Sequence, residues 1–186
     1  TVGVMTMAKL TGGDAKKAPA QPKTNTSKNN SKNNSKNNSG NGGKKGSSGS
    51  TAVPNTGGAS GGASALLAVA SSKLGCPYVW GSKGPNSFDC SGFVSYVINH
   101  CGNGWNYGRL TANGWKNATK RVRESDVKAG DLVFFQGTYE TSGASHVGIV
   151  VDPVQKVMIH CGNPIQYASY DTAYWRAHAY CYGRIR

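Results

Sequence analysis

The fold is decided by residues 74–97, which read LGCPYVWGSKGPNSFDCSGFVSYV. The second half of this stretch predicts a helix over 90–102, because its apolar side chains recur at helical spacing. These side chains are Phe93, Val94, Val97 and Ile98. Asp89 is a favourable N-cap for such a helix, and Gly102 is a favourable terminator. The pattern therefore places Cys90 in the first turn of a helix.

Helices precede strands in the rest of the folded part. One helix is predicted over 63–75, closed by Gly75, and a shorter one over 109–118. The apolar face of the first helix comprises Leu66, Leu67, Ala70 and Leu74. From residue 131 onward the pattern becomes that of strands separated by turn residues. The predicted strands are DLVFFQ (131–136), HVGIVV (146–151), KVMIH (156–160), PIQYAS (164–169) and HAYCYGRI (178–185). Helices followed by an antiparallel run of strands indicate an α+β fold.

Three segments divide the chain. Residues 1–13 have the alternation of a strand and read as the end of an upstream β element. Residues 14–62 are rich in Lys, Asn, Ser and Gly, repeat SKNN three times, and contain none of the Trp, Tyr or Phe residues of the chain. Such a segment buries too little apolar surface to offset its ordering entropy, so a disordered basic linker is predicted. Residues 63–186 form the predicted folded domain.

Positive charge is concentrated before the predicted domain. Nine Lys and one Asp give residues 1–60 a net charge of +8, out of +13 for the whole chain. A basic chain is attracted to polyanions such as nucleic acid or the anionic polymers of a bacterial envelope. Nucleic acid is not the expected partner, because the linker lacks both Arg and aromatic side chains to stack on bases. No apolar run reaches transmembrane length, and the export route stays open because Thr1 is not an initiator Met.

Cys90 is the candidate nucleophile among five cysteines. The five form no CxxC pair and are odd in number, which fits neither a disulfide framework nor a zinc knuckle. At the start of a helix, free N–H groups and the positive end of the helix dipole favour a thiolate. The alternative is a structural thiol, because Cys is among the most buried residue types.

His146 and His160 are the candidates for a partner base. His100 is excluded, because ten residues along one helix place it about 15 Å from Cys90. In a hairpin that turns at residues 152–155, His146 and His160 fall opposite each other, about 5 Å apart on one face. One imidazole then binds and orients the other. The alternative is a pair of structural histidines.

A metal centre is the competing interpretation of these residues. Zinc needs four ligands around one point, and the candidates are Cys90, His146, His160 and Cys161. Adjacent residues of a strand point to opposite faces, so His160 and Cys161 cannot both turn toward one ion. His178 lies in a different predicted strand. We therefore expect neither a metal nor another cofactor.

Several motifs follow one another in the order found in a known family. Residues 74–97 are followed by AGDLVFF (129–135), SHVGIVV (145–151) and MIHC (158–161). Together they resemble the NlpC family of peptidoglycan endopeptidases. The resemblance implies a papain-like fold, in which a helix carrying the cysteine packs on an antiparallel sheet carrying the histidines. It also implies a catalytic triad, with Cys90 as the nucleophile, His146 as the base and His160 as the group that orients His146.

The same resemblance implies a substrate and a pocket. Tyr78, Asp89 and Ser91 match positions that line the family's pocket, with Asp89 as a partner for a substrate amine. The implied reaction is cleavage of peptidoglycan stem peptides between D-glutamate, through its γ-carboxyl, and the diamino acid. The implied unit is a monomeric catalytic domain outside the cell, in the wall or on a phage tail.

Two other functions remain open at the level of sequence. One is an amidase or acyltransferase built on the same fold, and the other is a non-catalytic module that binds the wall. The predicted linker and the upstream β element suggest attachment to a larger assembly, either a phage tail or a conjugation apparatus. An autolysin is the third biological context that the sequence allows.

Overall fold

One antiparallel sheet organises the part of the chain that the structure describes. The structure is a computed structural model, and it describes residues 61–186. The predicted β element at 1–13 lies outside the described residues, as does the predicted linker up to residue 60. Within the described range, helices and an antiparallel sheet confirm the predicted α+β class.

The helices and strands follow the predicted order with three additions, which are the last helix, the first strand and a 3-10 helix. The helices are α1 (Gly61–Ser71), α2 (Cys90–His100), α3 (Ala112–Ala118) and α4 (Ala173–His178), with a short 3-10 helix at Glu124–Asp126. The strands are β1 (Lys120–Val122), β2 (Leu132–Gln136), β3 (Ala144–Asp152), β4 (Val157–Cys161), β5 (Ile165–Ser169) and β6 (Ala179–Arg184). Their order in the sheet is β1-β6-β2-β3-β4-β5. No helix in residues 61–186 has the length and apolarity that crossing a membrane requires.

The two faces of the sheet carry separate cores. Along β2, Leu132 and Phe134 are buried in the larger core, which contains apolar residues of α1, α2 and α3. Val133 and Phe135 point the other way, into a smaller core closed by Trp175 of α4. This alternation follows from the two-residue period of a strand. The sheet is therefore sandwiched between α1–α3 on one face and α4 on the other.

Helix α2 matches its prediction closely. It begins at Cys90 and ends at His100, and the Asp89 side chain caps it by accepting a hydrogen bond from the N–H of Gly92. All four residues of the predicted apolar stripe are buried. The helix thus rests on the sheet with its first turn at the edge of the larger core.

Two parts of the secondary structure differ from the sequence prediction. Helix α1 ends at Ser71, so Leu74 is 42% exposed instead of lying on the buried helical face. The chain reverses there through Gly75, whose φ of +83° favours glycine. His178 is the last residue of α4, not part of a strand, because Thr172 caps a helical turn that the strand-like pattern of 178–185 concealed.

The β3–β4 hairpin has a different register from the predicted one. Gly148, not His146, lies opposite His160, because the turn lies at residues 153–156 and a bulge falls between Val150 and Asp152. The offset is two residues, which keeps His146 and His160 on the same face of the sheet. Diagonal neighbours of this kind remain within reach of long side chains.

Candidate active site

Asp89 holds the first turn of α2 in place. Its Oδ1 accepts hydrogen bonds from the N–H of Gly92 at 2.6 Å and from the hydroxyl of Ser91 at 3.0 Å. Its Oδ2 accepts one from the N–H of Gly81 at 3.0 Å. A side chain at position 92 is excluded, because its Cβ would lie 2.1 Å from the carbonyl oxygen of Ser82. The loop before the helix and the helix start are thus packed together as one unit.

Arg109 completes this network and was missed at the sequence level. Its Nη2 forms an ion pair with Oδ2 of Asp89, and its Nη1 donates to the hydroxyl of Ser91 at 2.9 Å. Asp89 is only 5% exposed, so a cationic partner offsets the cost of burying its charge. Arg109 therefore already pairs with the carboxylate of Asp89, which was predicted to bind a substrate amine. No spacing in the sequence connects an arginine in the loop before α3 with the start of α2.

Cys90 lies at the helix start as predicted, but it is a thiol in its resting state. The side chain is 6% exposed, and its sulfur accepts hydrogen bonds from the backbone N–H groups of Val147 and Ser91. Burial, followed by the negative charge of Asp89, raises the pKa of the thiol to about 12, although the two N–H groups and Arg109 act in the opposite direction. Burial therefore opposes the helix end, which by itself favours the thiolate.

His146 and His160 form a buried, hydrogen-bonded pair. Nε2 of His146 lies 3.0 Å from Nδ1 of His160, and the two residues are 1% and 3% exposed. Burial lowers the pKa of His160 to about 4. Burial, together with the neighbouring His160, also holds the pKa of His146 well below its ordinary value. Both rings are therefore neutral near pH 7, so one nitrogen of the pair donates the hydrogen bond and the other accepts it.

The nucleophile and the histidine pair meet across β3. Cys90 belongs to the larger core and binds the N–H of Val147, while His146, the preceding residue, packs against Phe135 and Trp175 on the other side. Nε2 is the ring nitrogen of His146 that His160 engages. In the tautomer in which Nε2–H donates to His160, Nδ1 is the nitrogen that can take up a proton.

Tyr78 lies beside the nucleophile. Its side chain is half-buried, and burial, with smaller contributions from Cys90 and Asp89, raises the pKa of its hydroxyl. The hydroxyl therefore stays protonated and can donate a hydrogen bond. Tyr78, Asp89 and Ser91 all lie near Cys90 in the structure.

Trp175 covers the histidine pair and was also missed. Its ring stacks on His146 with a centroid distance of 5.2 Å and an interplanar angle of 28°, and it meets His160 edge-on at 5.4 Å. The residue belongs to the short helix α4, which the sequence pattern did not predict.

No metal centre is indicated in residues 61–186. Within this range, no group of three or more His, Cys, Asp or Glu side chains is arranged to hold an ion. Cys161 points away from the histidine pair, and its sulfur donates to the carbonyl oxygen of Phe88 at 3.3 Å. All five cysteines are free thiols.

These features define a class of protein. A cysteine at the start of a helix, next to a sheet that carries a histidine pair, is the arrangement of a papain-like α+β domain. The model of the NlpC/P60 family matches residues 75–184, which is more than half of the chain. The chain therefore belongs to the NlpC/P60 family, and the resemblance read from its motifs is confirmed.

Individual relatives agree with this assignment. The bifunctional muramidase/DL-endopeptidase CwlT of Bacillus subtilis is 38% identical over 119 residues, which cover 60% of this chain and 33% of CwlT. A lipoprotein-like member of the NLP/P60 family from Staphylococcus aureus has a structure with a TM-score of 0.61 and 31% identity, covering 67% of this chain and 41% of that one. The NlpC/p60 domain of the peptidoglycan hydrolase SagA gives a TM-score of 0.54 at 31% identity, covering 66% of this chain and 98% of that domain. The chain thus spans about one third of CwlT and nearly the whole of an isolated family domain.

Proposed function

We propose that residues 63–186 form a peptidoglycan endopeptidase in which Cys90 is the nucleophile, His146 the base and His160 the group that orients it. The observation that carries the proposal is the position of Cys90, whose sulfur binds the N–H of Val147 next to a buried and hydrogen-bonded histidine pair. The names of CwlT and SagA, an endopeptidase and a peptidoglycan hydrolase, support the substrate class.

The first step is a proton transfer between two neutral groups. His146 takes the proton of the Cys90 thiol on Nδ1, because its Nε2 is engaged by His160. Small movements can bring the sulfur and Nδ1 into contact, since catalytic hydrogen bonds often tighten only when substrate binds. This step requires the tautomer in which Nε2–H of His146 donates to Nδ1 of His160, and that hydrogen bond keeps the ring of His146 in one orientation. The resulting thiolate attacks a carbonyl carbon of the stem peptide.

The second step releases the amine and then the acid. The tetrahedral oxyanion accepts a hydrogen bond from the backbone N–H of Cys90, one of the groups that the first turn of a helix leaves unbonded. We assign the second donor to the hydroxyl of Tyr78, which stays protonated beside Cys90. His146 returns its proton to the leaving amine, and water hydrolyses the acyl-enzyme with His146 again as the base.

A charged cleft lies beside the network of Asp89 and Arg109. Arg109 is 30% exposed and, with Lys83, lines this cleft of about 400 Å³, whose lining does not include Cys90 or the histidine pair. Cationic groups at this cleft favour the carboxylates of the stem, while Asp89 and Ser91 fix Arg109 in place. We propose that the scissile bond joins the γ-carboxyl of D-glutamate to the diamino acid.

The proposed setting is outside the cell, with the catalytic domain acting on the wall. The basic residues before the domain suit the anionic polymers of the envelope. Attachment to a phage tail or a conjugation assembly, by way of residues 1–62, belongs to the same proposal and would let a tethered domain search nearby wall.

The experiment compares Cys90→Ala with Cys181→Ala, a half-buried cysteine outside the site. Purified peptidoglycan is digested with each variant and the products are identified by mass spectrometry. We expect cut stem peptides from the parent and from Cys181→Ala, and none from Cys90→Ala at unchanged melting temperature. Intact stem peptides released from the sugar, which then carries a free lactyl carboxyl group, would make the protein an amidase. No product from the parent would make it a binding module, and full activity of Cys90→Ala would refute the proposal.

A further inference from the structure

Trp175 lies in a position that the proposed reaction does not yet explain. Its indole stacks on His146 at 5.2 Å and 28°, which is an offset-stacked geometry, and its edge contacts His160. The ring is 2% exposed, and it is fixed from below by Phe135 at 4.4 Å. The N-cap Thr172, whose hydroxyl accepts the N–H of Trp175 at 3.3 Å, holds its backbone.

The proposed reaction creates a positive charge on His146, where the thiolate of Cys90 is the one counter-ion among the described residues of the site. When His146 takes the proton of Cys90, a positive charge appears on a ring that is 1% exposed. The ion pairs within residues 61–186 are all made by Arg or Lys, so no carboxylate pairs with either histidine. A buried cation without a partner is costly, and some other group has to lower that cost.

The groups that face His146 come from each neighbouring element. β4 contributes His160, β2 contributes Phe135, and α4 contributes Trp175. Cys90 of α2 reaches the adjacent Val147. Behind Trp175 lie Tyr174 at 5.0 Å and, tilted against that tyrosine, His178 at 4.7 Å. Of these groups, only Trp175 presents a stacked aromatic face within about 6 Å of the imidazole, the range in which a ring quadrupole attracts a cation.

We propose that Trp175 is a positioning residue whose π face stabilises the imidazolium of His146 and holds that ring in the plane required for proton transfer from Cys90. The inference rests on the proposed function, because only a mechanism that passes through the imidazolium needs this stabilisation. It assigns to a residue of α4 the electrostatic task that a carboxylate performs in other cysteine–histidine sites.

A purely structural role for Trp175 makes a different prediction. If the indole only excludes water, replacing it would hydrate His146 and raise the pKa of the imidazole, because burial is the first cause of its low value. If the π face stabilises the cation, weakening that face at constant shape lowers the same pKa. A series that conserves the shape of the indole therefore separates the two roles, because water exclusion alone would leave this pKa unchanged.

The experiment keeps the shape of the indole and changes its electrons. Tryptophan analogues carrying one to four fluorine atoms are placed at position 175 of the full chain by stop-codon suppression, and the same series is placed at Trp115 as the control. Trp115 is also buried, but it packs on Tyr107 and donates to Ser95, away from the histidines. The turnover of a purified muropeptide is measured against pH. Alkylation of Cys90 by iodoacetamide is followed in parallel by peptide mass spectrometry.

We expect kcat to fall stepwise along the series at position 175, by about tenfold at four fluorines, which corresponds to about 1.4 kcal/mol. The acid limb of the pH profile should move to lower pH, and the alkylation rate near pH 7 should fall in parallel. The series at Trp115 should leave both profiles in place. Equal kcat across the series at position 175, or an acid limb that moves to higher pH, would overturn the inference. The parent with unmodified Trp175 is measured in the same assay. If the parent does not cleave the muropeptide, the proposed function fails, which is a different result from an unchanged kcat across the fluorinated series.

Discussion

The start of α2 and the histidine side of the sheet solve the same problem, a buried polar group, in opposite ways. At the start of α2, Asp89 is surrounded by local hydrogen bonds and by the cation of Arg109. On the histidine side, His146 and His160 bond only to each other within the described residues and are enclosed by aromatic rings. One region is held by charge, and the other is kept neutral. The difference indicates that the first region contributes mainly to stability and positioning, while the second is poised to accept a proton.

The largest expected effect is on turnover and comes from the histidine side. His146→Ala should reduce kcat/KM by about 10³-fold, because it removes the proposed general base. Its melting temperature should change little in comparison. The matched control is His100→Ala, an exposed histidine of α2 bonded to the carbonyl of Tyr96. Steady-state kinetics on purified muropeptides and thermal denaturation measure the two quantities. Turnover within tenfold of the parent would remove His146 from the mechanism.

The start of α2 should respond in stability instead. Asp89→Ala removes the N-cap of α2 and leaves Arg109 without its ion pair, so we expect the free energy of unfolding to fall by about 2–3 kcal/mol. The control is Asp126→Ala, an exposed carboxylate paired with Arg123, which should leave stability nearly unchanged. Urea denaturation followed by fluorescence measures both. Equal stability of the two variants would contradict the contrast between the two regions.

The neutrality of the histidine pair predicts a loss of stability in acid. The pKa of His160 is about 4 in the folded protein and near 6.5 when unfolded, so the unfolded chain binds more protons below pH 6.5. Stability is therefore fully present above pH 6.5 and declines as the pH falls toward 4, by about 2 kcal/mol at pH 5 for one such histidine. Urea denaturation between pH 7 and pH 4.5 measures this slope. The slope should flatten in His160→Gln, and an unchanged slope in that variant would assign the acid sensitivity to other groups.

The smallest expected effect tests the boundary between the two regions. Tyr78→Phe should lower kcat about tenfold. This loss is smaller than the one caused by removing an oxyanion-hole donor from a serine peptidase, because the tetrahedral oxyanion still binds the N–H of Cys90. The KM and the melting temperature should stay close to those of the parent. A variant in which KM rises while kcat is unchanged would place Tyr78 in substrate binding alone.

The same contrast explains what could be read from the sequence. Asp89, Cys90 and Ser91 are consecutive, so an N-cap preference and a helical stripe were enough to place them at the start of α2. The histidine side is assembled from β3, β4 and α4. Strand alternation placed His146 and His160 on one face, but the turn and its bulge decided their register.

Other parts of the site depend on tertiary structure and were not predictable. Arg109 reaches Asp89 from a loop twenty residues along the chain. Trp175 reaches the histidines because residues 173–178, for which no helix was predicted, form a helix capped by Thr172. The resting protonation of Cys90 follows from its burial, which depends on the packing of the whole domain and outweighs the local dipole.

The two-residue offset of the β3–β4 hairpin implies that only register shifts by an even number of residues preserve the site during evolution or engineering. Turn lengths that slide the strands by two residues keep an imidazole on the face of His146, whereas a slip of one would present Ile159 or Cys161 there instead. Such a slip would also turn the imidazole of residue 160 into the core beneath α2. Misaligned molecules would thus be inert, not merely slow. The specific activity of a preparation would then be proportional to the fraction of molecules in which β3 and β4 have the correct register.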